Sequence, residues 1–173
     1  MNKLSIEERS RILAALVDDP ARLTPKEMDR WALEFENWAD CDSACYGLFD
    51  RTPHASRKAV EWSRRKEEFV KRGGLSIMAG MAVHDKAAAD SIFVAFLPHI
   101  ERASTDERPL VKKGASWALR QIGKRNLRLN AAAIDRARRI ARIDSRPARW
   151  VASDVLRELT HPKIRARLAA KGK

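Results

Sequence analysis

An all-α fold is what the sequence predicts, and three observations carry the prediction. Helix-start signals recur along the 173 residues, prolines fall between apolar-periodic segments, and the alternating pattern of a half-buried strand is nearly absent. Ser5 with Glu8 has capping-box spacing and opens a helix to about Asp18. Thr24-Pro25 with Glu27 opens a second, expected over 24–38 or 24–40, with proline at its first position. A short helix is expected over 43–49 and one from Thr52-Pro53 to about 66. Further helices are expected over 67–83, 87–102, 107–125, 130–143, 147–160 and 162–171, with Asp106 and Asn130 as N-caps. Pro20, Pro147 and Pro162 mark helix boundaries. Many short helices with short connections form either an irregular bundle or an α-solenoid of helix pairs at the HEAT or armadillo scale. The length suits one domain over 1–173, with a core that needs no disulfide or metal.

Composition narrows the function. The chain is 45% hydrophobic and 34% charged, with seven Gly and seven Pro, which excludes a linker-rich or low-complexity protein. It holds no apolar run of transmembrane length, and its charged start has no secretory character. Two cysteines in such a chain point to a reducing compartment. The net charge is +12, and it is uneven: residues 104–173 carry 19 basic against 6 acidic side chains, while 1–60 carry 9 against 11. That concentration implies a polyanionic partner, most often nucleic acid. The plainer reading is a basic surface without a partner.

The chemistry-bearing residues cluster in three segments. In 107–125, Val111, Ala115, Ala118 and Ile122 form an apolar stripe. Lys113, Trp117, Arg120 and Lys124 repeat the same steps on the other side, about 200° around the helix. Trp117 among three cations is either an aromatic plate in a phosphate-binding stripe or a ring packed against a neighbouring helix or under Arg120. In 67–83, Val70, Gly74, Ile77 and Met81 face the core; Arg72, on the other side, is a candidate phosphate contact or a partner of Glu68. Gly73-Gly74 inside a helix implies close approach of another backbone. Met28, Trp31, Phe35 and Trp38 step as one apolar stripe, so Trp38 reads as core or as an aromatic wall beside Asp42. Asp42 reads as an N-cap or as a fixed negative charge. Cys41 and Cys45 read as small buried hydrophobes, since no further Cys or His follows at zinc spacing. No P-loop, dinucleotide fingerprint or nucleophile elbow occurs, which argues against the chemistries they serve.

On NWADCD (37–42), WSRRKEEFVKR (62–72) and PLVKKGASWALRQIGKRN (109–126), the chain resembles the AlkD-like DNA alkylation-repair glycosylases, which are built from HEAT-like repeats. The likeness extends in weaker form from about residue 10 to about 160. It implies an α-solenoid with a concave basic face cradling duplex DNA, and hydrolysis of the N-glycosidic bond of cationic N3- and N7-alkylpurines. It places the family's essential aromatic and carboxylate on Trp38 and Asp42, its second aromatic on Trp117 and its phosphate-contacting arginine on Arg72. Lys112, Lys113, Arg120 and Lys124 join Arg72 as expected phosphate contacts. No lysine nucleophile, cofactor or metal is required, so a monofunctional glycosylase is expected, monomeric, without membrane contact, and cytoplasmic at the nucleoid. Members usually carry further N-terminal helices, so the absence of one or more of them is expected in a chain that reaches Trp38 and Asp42 so early. Two other classes compete: a non-catalytic DNA-binding HEAT protein, and a protein-binding solenoid adaptor, which the basic 104–173 segment disfavours.

Overall fold

The computed structural model describes residues 18–171, and the helix expected over 5–18 lies almost wholly outside them. Among the described residues there are nine α-helices and no strand: α1 Pro25–Leu33, α2 Trp38–Gly47, α3 Ala55–Trp62, α4 Glu68–His84, α5 Asp90–Ala103, α6 Pro109–Gly123, α7 Leu127–Ile140, α8 Arg146–Leu159 and α9 Pro162–Lys171. A single 3₁₀ turn, Phe49–Arg51, follows α2. None of these helices is long and apolar enough to cross a membrane.

Local chemistry sets the boundaries. Thr24 and Glu27 form the expected capping box over α1. The expected continuation to residue 38 or 40 is corrected: α1 stops at Leu33 and a new helix begins at Trp38. The reason is Asn37, whose side-chain oxygen accepts from the Ala39 and Asp40 amides at 2.9 and 3.0 Å and so caps α2. Asp42 therefore lies inside a helix and is not its N-cap. The aromatic stripe is divided between two helices, which leaves Met28 and Phe35 buried but Trp38 56% exposed. α3 starts three residues after Thr52, whose hydroxyl donates to the Phe49 carbonyl at 2.9 Å instead of capping. Asp106 is not the N-cap of α6; Arg108 holds that position, and Asp106 accepts from its amide and guanidinium. Asn130 is likewise replaced as a cap by Asn126, and its own amide donates to the Gly123 carbonyl from inside the core at 2.9 Å.

Sequence neighbours pack on each other, as α3 on α4, α6 on α7 and α7 on α8 do, and helices of alternate rank pack as well. α2 packs on α4, α4 on α6 and α6 on α8, while α3, α5, α7 and α9 contact each other in a second series. The α4–α6 contact is the most extensive. Val111, Ala115, Ala118 and Ile122 of α6 and Val70, Ile77 and Met81 of α4 all enter the apolar core, as their spacing predicts. At Gly74 a Cβ would lie 2.6 Å from the Ser63 amide nitrogen and 2.7 Å from the Ala59 carbonyl oxygen, so α3 approaches α4 as closely as the paired glycines imply. Arg125 closes the far end of α4: its guanidinium donates to the Ala82, Asp85 and Ala88 carbonyls and lies 4.1 Å from the Phe93 ring centroid. Carbonyls that helix geometry leaves without partners are satisfied there by a side chain.

Candidate functional site

A cleft of about 390 Å³ crosses the α2–α4–α6–α8 series, lined by Asp42, Arg72, Lys113, Trp117, Arg120, Trp150 and Asp154. Each of the four helices contributes, so residues far apart in sequence meet in one groove. Trp38 stands one turn before Asp42 on the same helix and is open to solvent.

Asp42 is held by three donors from α4. Arg72 Nε donates to Oδ1 at 3.0 Å and an Arg72 terminal nitrogen to Oδ2 at 2.6 Å, the planar fork that matches a carboxylate. Ser76 Oγ donates to Oδ1 at 2.6 Å. An ionised carboxylate offers about four lone-pair sites, so both on Oδ1 are used and one on Oδ2 is left. The remaining Arg72 nitrogen donates to the Leu110 carbonyl at 2.7 Å, and Arg72 is buried. Arg72 thus pairs across helices with Asp42, not along its own helix with Glu68.

Aromatic and basic groups form the opposite wall. Trp117 is half-buried, with its ring centroid 5.0 Å from that of Tyr46. It packs against a neighbouring helix and also lines the cleft, so two readings of the sequence meet in one residue. Trp150 of α8 is 40% exposed, and Lys112 Nζ lies 5.3 Å from its ring centroid. Lys113 is exposed, with no ion-pair partner among the described residues. The other two cations are engaged by α8. Arg120 donates to Glu158 at 2.6 Å and lies 3.5 Å from Asp154, and Lys124 lies 2.8 Å from Glu158. Burial pushes the Glu158 carboxyl up, but hydrogen bonds from Lys124 and Arg120 outweigh it and hold the group below the usual carboxylate range. Asp154 also accepts from Ser116 Oγ at 2.5 Å and from Arg157.

A family model described as DNA alkylation repair enzyme matches residues 6–161. The chain belongs to that family. Family membership gives this DNA alkylation repair protein a role in DNA repair, with DNA as the substrate its description implies. No curated protein and no solved structure matches the chain.

Helix spacing places Ser76 beside Arg72 but gives it no role, and Trp150, Asp154 and Glu158 escaped sequence reasoning. The spacing that places Ser76 continues along α4, where Arg72, Ser76, Gly80 and His84 recur every four residues. The α8 residues had no such signal, because their partners sit on another helix. Cys41 and Cys45 are buried, and burial raises the Cys45 thiol well above its usual range, so a reactive thiolate is disfavoured. No group of three or more His, Cys, Asp or Glu suited to a metal occurs among the described residues.

Proposed function

We propose that the chain is a monofunctional DNA glycosylase that hydrolyses the N-glycosidic bond of cationic N3- and N7-alkylpurines in duplex DNA. The carrying observation is a carboxylate fixed by three donors at the mouth of an aromatic cleft. The two helix series are read as HEAT-like stacking, with the α2–α4–α6–α8 series forming the concave basic face that meets DNA.

Alkylation places a positive charge on the purine, which makes the base a good leaving group. The barrier that remains is the oxocarbenium-like sugar. The open Oδ2 lone pair of Asp42 supplies negative charge to that cation and a hydrogen-bond acceptor to the attacking water. Preorganisation is the point of Arg72 and Ser76: the carboxylate needs no reorientation as the charge develops. Trp38 and Trp117 add aromatic faces, each contributing on the order of 0.5–2 kcal/mol toward a cation. No lysine nucleophile enters, so the strand is left intact. Lys112, Lys113, Arg120 and Lys124 are assigned to phosphates, Lys113 directly and Arg120 and Lys124 in competition with Glu158. Arg72, buried and with all three nitrogens engaged by Asp42 and Leu110, is assigned to holding the carboxylate and not to a phosphate. The second reading, a DNA-binding protein without catalysis, draws on the same Asp42–Arg72 pair taken as a brace between α2 and α4.

Asp42→Asn separates them. Because Asp42 is an ion-pair partner and not a cap, the variant costs about 1.5–3 kcal/mol of stability, the range for a hydrogen bond to a charged group. Release of N7-methylguanine, measured below the unfolding transition with circular dichroism confirming the fold, is expected to fall about 100-fold, roughly 2.7 kcal/mol at 1.36 kcal/mol per decade. DNA affinity should hold. Unchanged base release would make Asp42 a brace, and a wild-type protein that binds duplex DNA but releases no base would establish the second reading.

A further inference from the structure

Three side chains that do not line the cleft, Tyr46, His84 and Asp50, continue in a row from Trp117, and base release does not use them directly. The Tyr46 ring lies between two others: its centroid is 5.0 Å from Trp117 and 4.7 Å from His84, both within aromatic contact distance. His84 Nδ1 is 2.5 Å from Asp50 Oδ2, and the Asp50 side chain is fully buried. Its other oxygen, Oδ1, is buried with no hydrogen-bond partner among the described residues.

A buried carboxylate is expensive, so its placement requires a return elsewhere in the fold. The backbone makes room for it deliberately. At Gly80 a Cβ would stand 2.4 Å from Asp50 Oδ2, so only glycine at this point of α4 admits the carboxylate. His84 follows Gly80 by four residues on the same face of α4, and Tyr46 follows Asp42 by four on the same face of α2. The α2–α4 contact therefore holds two successive levels. At the first, Arg72 and Ser76 grip Asp42; at the second, Asp50 grips His84, and His84 abuts Tyr46.

We propose that Tyr46, held in place by His84 and Asp50, is a positioning residue that sets the Trp117 indole at the cleft. The inference rests on the reading of that cleft as the reaction site. Tyr46 does not line the cleft and touches no substrate; it acts through Trp117. Asp50 fixes the His84 ring through Nδ1, the ring edge limits Tyr46, and Tyr46 limits the tilt of Trp117. The same α2 helix thus places the carboxylate and, one turn later, the support of the aromatic that faces it.

The test uses the full chain labelled with 5-fluorotryptophan, with the Trp117 resonance identified by its loss in Trp117→Phe. Tyr46→Leu removes the ring, Tyr46→Phe keeps it, and His84→Gln removes the ring while keeping a donor for Asp50. Tyr46→Leu and His84→Gln are expected to shift or broaden the Trp117 resonance and leave that of Trp150 in place, while Tyr46→Phe retains the wild-type spectrum. Single-turnover release of N7-methylguanine is expected to slow about tenfold in Tyr46→Leu, with duplex affinity within about twofold and Tyr46→Phe restoring the rate; tenfold corresponds to 1.36 kcal/mol. An unmoved Trp117 resonance in both ring-removing variants overturns the proposal, as does a resonance that moves while the rate does not. A wild-type protein without base release removes the glycosylase reading alone, since the fluorine spectrum still decides whether Tyr46 sets Trp117.

Discussion

Glu158 governs what two of the basic side chains assigned to phosphates can do, Arg120 in the cleft and Lys124 beyond it. It accepts from Arg120 at 2.6 Å and lies 2.8 Å from Lys124, so neither cation meets a phosphate without giving up a carboxylate. Glu158→Gln keeps the volume and an acceptor but removes the charge. Lys124 and Arg120 are then held at position 158 by a neutral amide at most, and Arg120 keeps its longer approach to the charged Asp154. The expected outcome is tighter binding of duplex DNA and a slope of log K against log salt steeper by about 1–2, since each neutralised phosphate contributes roughly −0.9. Anisotropy titrations of labelled duplex at several salt concentrations measure it. An unchanged slope would show that Arg120 and Lys124 are braces between α6 and α8. The same residues show what was legible at this scale. Periodicity placed Trp117 on the face opposite Val111 and Ala115, and Trp117 lines the cleft. It could not reveal that Arg72, Arg120 and Lys124 have carboxylate partners, because those partners lie about 30 or more residues away on other helices. Helix spacing reports which way a side chain points, not what stands opposite it.

Helix boundaries failed where two signals competed. The step from Met28 to Trp38 continues an apolar stripe, yet the Asn37 side chain satisfies two amides and starts a new helix against it. A capping bond of about 1 kcal/mol decides a boundary once burial no longer favours continuation, and Trp38 buries little. Asn126 displaced Asn130 by the same logic, since Asn130 has core partners. Where a helix is buried along most of its length, as α4 is, the expected and observed spans agree closely. Gly74 tests the physical reason. Gly74→Ala should gain about 1 kcal/mol of helix propensity. Against this, the new methyl would stand 2.6 and 2.7 Å from backbone atoms of Ser63 and Ala59, which cannot swing aside as a side chain would. Overpacking of this kind costs about 1–3 kcal/mol, and backbone against backbone belongs at the top of that range. The net expectation is a loss of about 2 kcal/mol, a fall in Tm of roughly 4–8 °C for a domain of this size. A rise in Tm would mean that α3 and α4 separate easily.

At the scale of the molecule, the absence of strand signals and the apolar stripes were enough for the all-α class, and the basic excess of 104–173 was enough to point to a polyanion. Which helices of alternate rank would meet was not legible, because no repeated consensus marks those contacts. Those contacts are reinforced by charge, which makes stability depend on pH. Asp29, which binds Lys58 Nζ at 2.6 Å and Trp62 Nε1 at 2.8 Å, joins α1 to α3. Asp106 binds Lys71 and Arg108, and Glu158 joins α8 to α6. Burial pushes the Asp29 and Glu158 carboxyls up, but their hydrogen bonds outweigh it; in Asp106 the bond from Arg108 dominates from the start. All three sit below the usual carboxylate range when folded, whereas the unfolded chain has values near about 4. The unfolded state therefore takes up protons first as pH falls, and folding loses these contributions between about pH 5 and pH 2. Asp50 works in the opposite sense, since burial raises its carboxyl despite the bond from His84 and favours the protonated folded form. Each proton taken up by the unfolded state alone is worth up to about 1.4 kcal/mol per pH unit, less where solvent screens the pair. Three groups against one predict a urea midpoint that falls steeply below about pH 5. Asp106→Asn should lower the midpoint at pH 7 and flatten the fall, because the protonatable partner of Lys71 and Arg108 is gone. A wild-type midpoint that stayed constant from pH 7 to pH 3 would mean that these ion pairs hold no helices together.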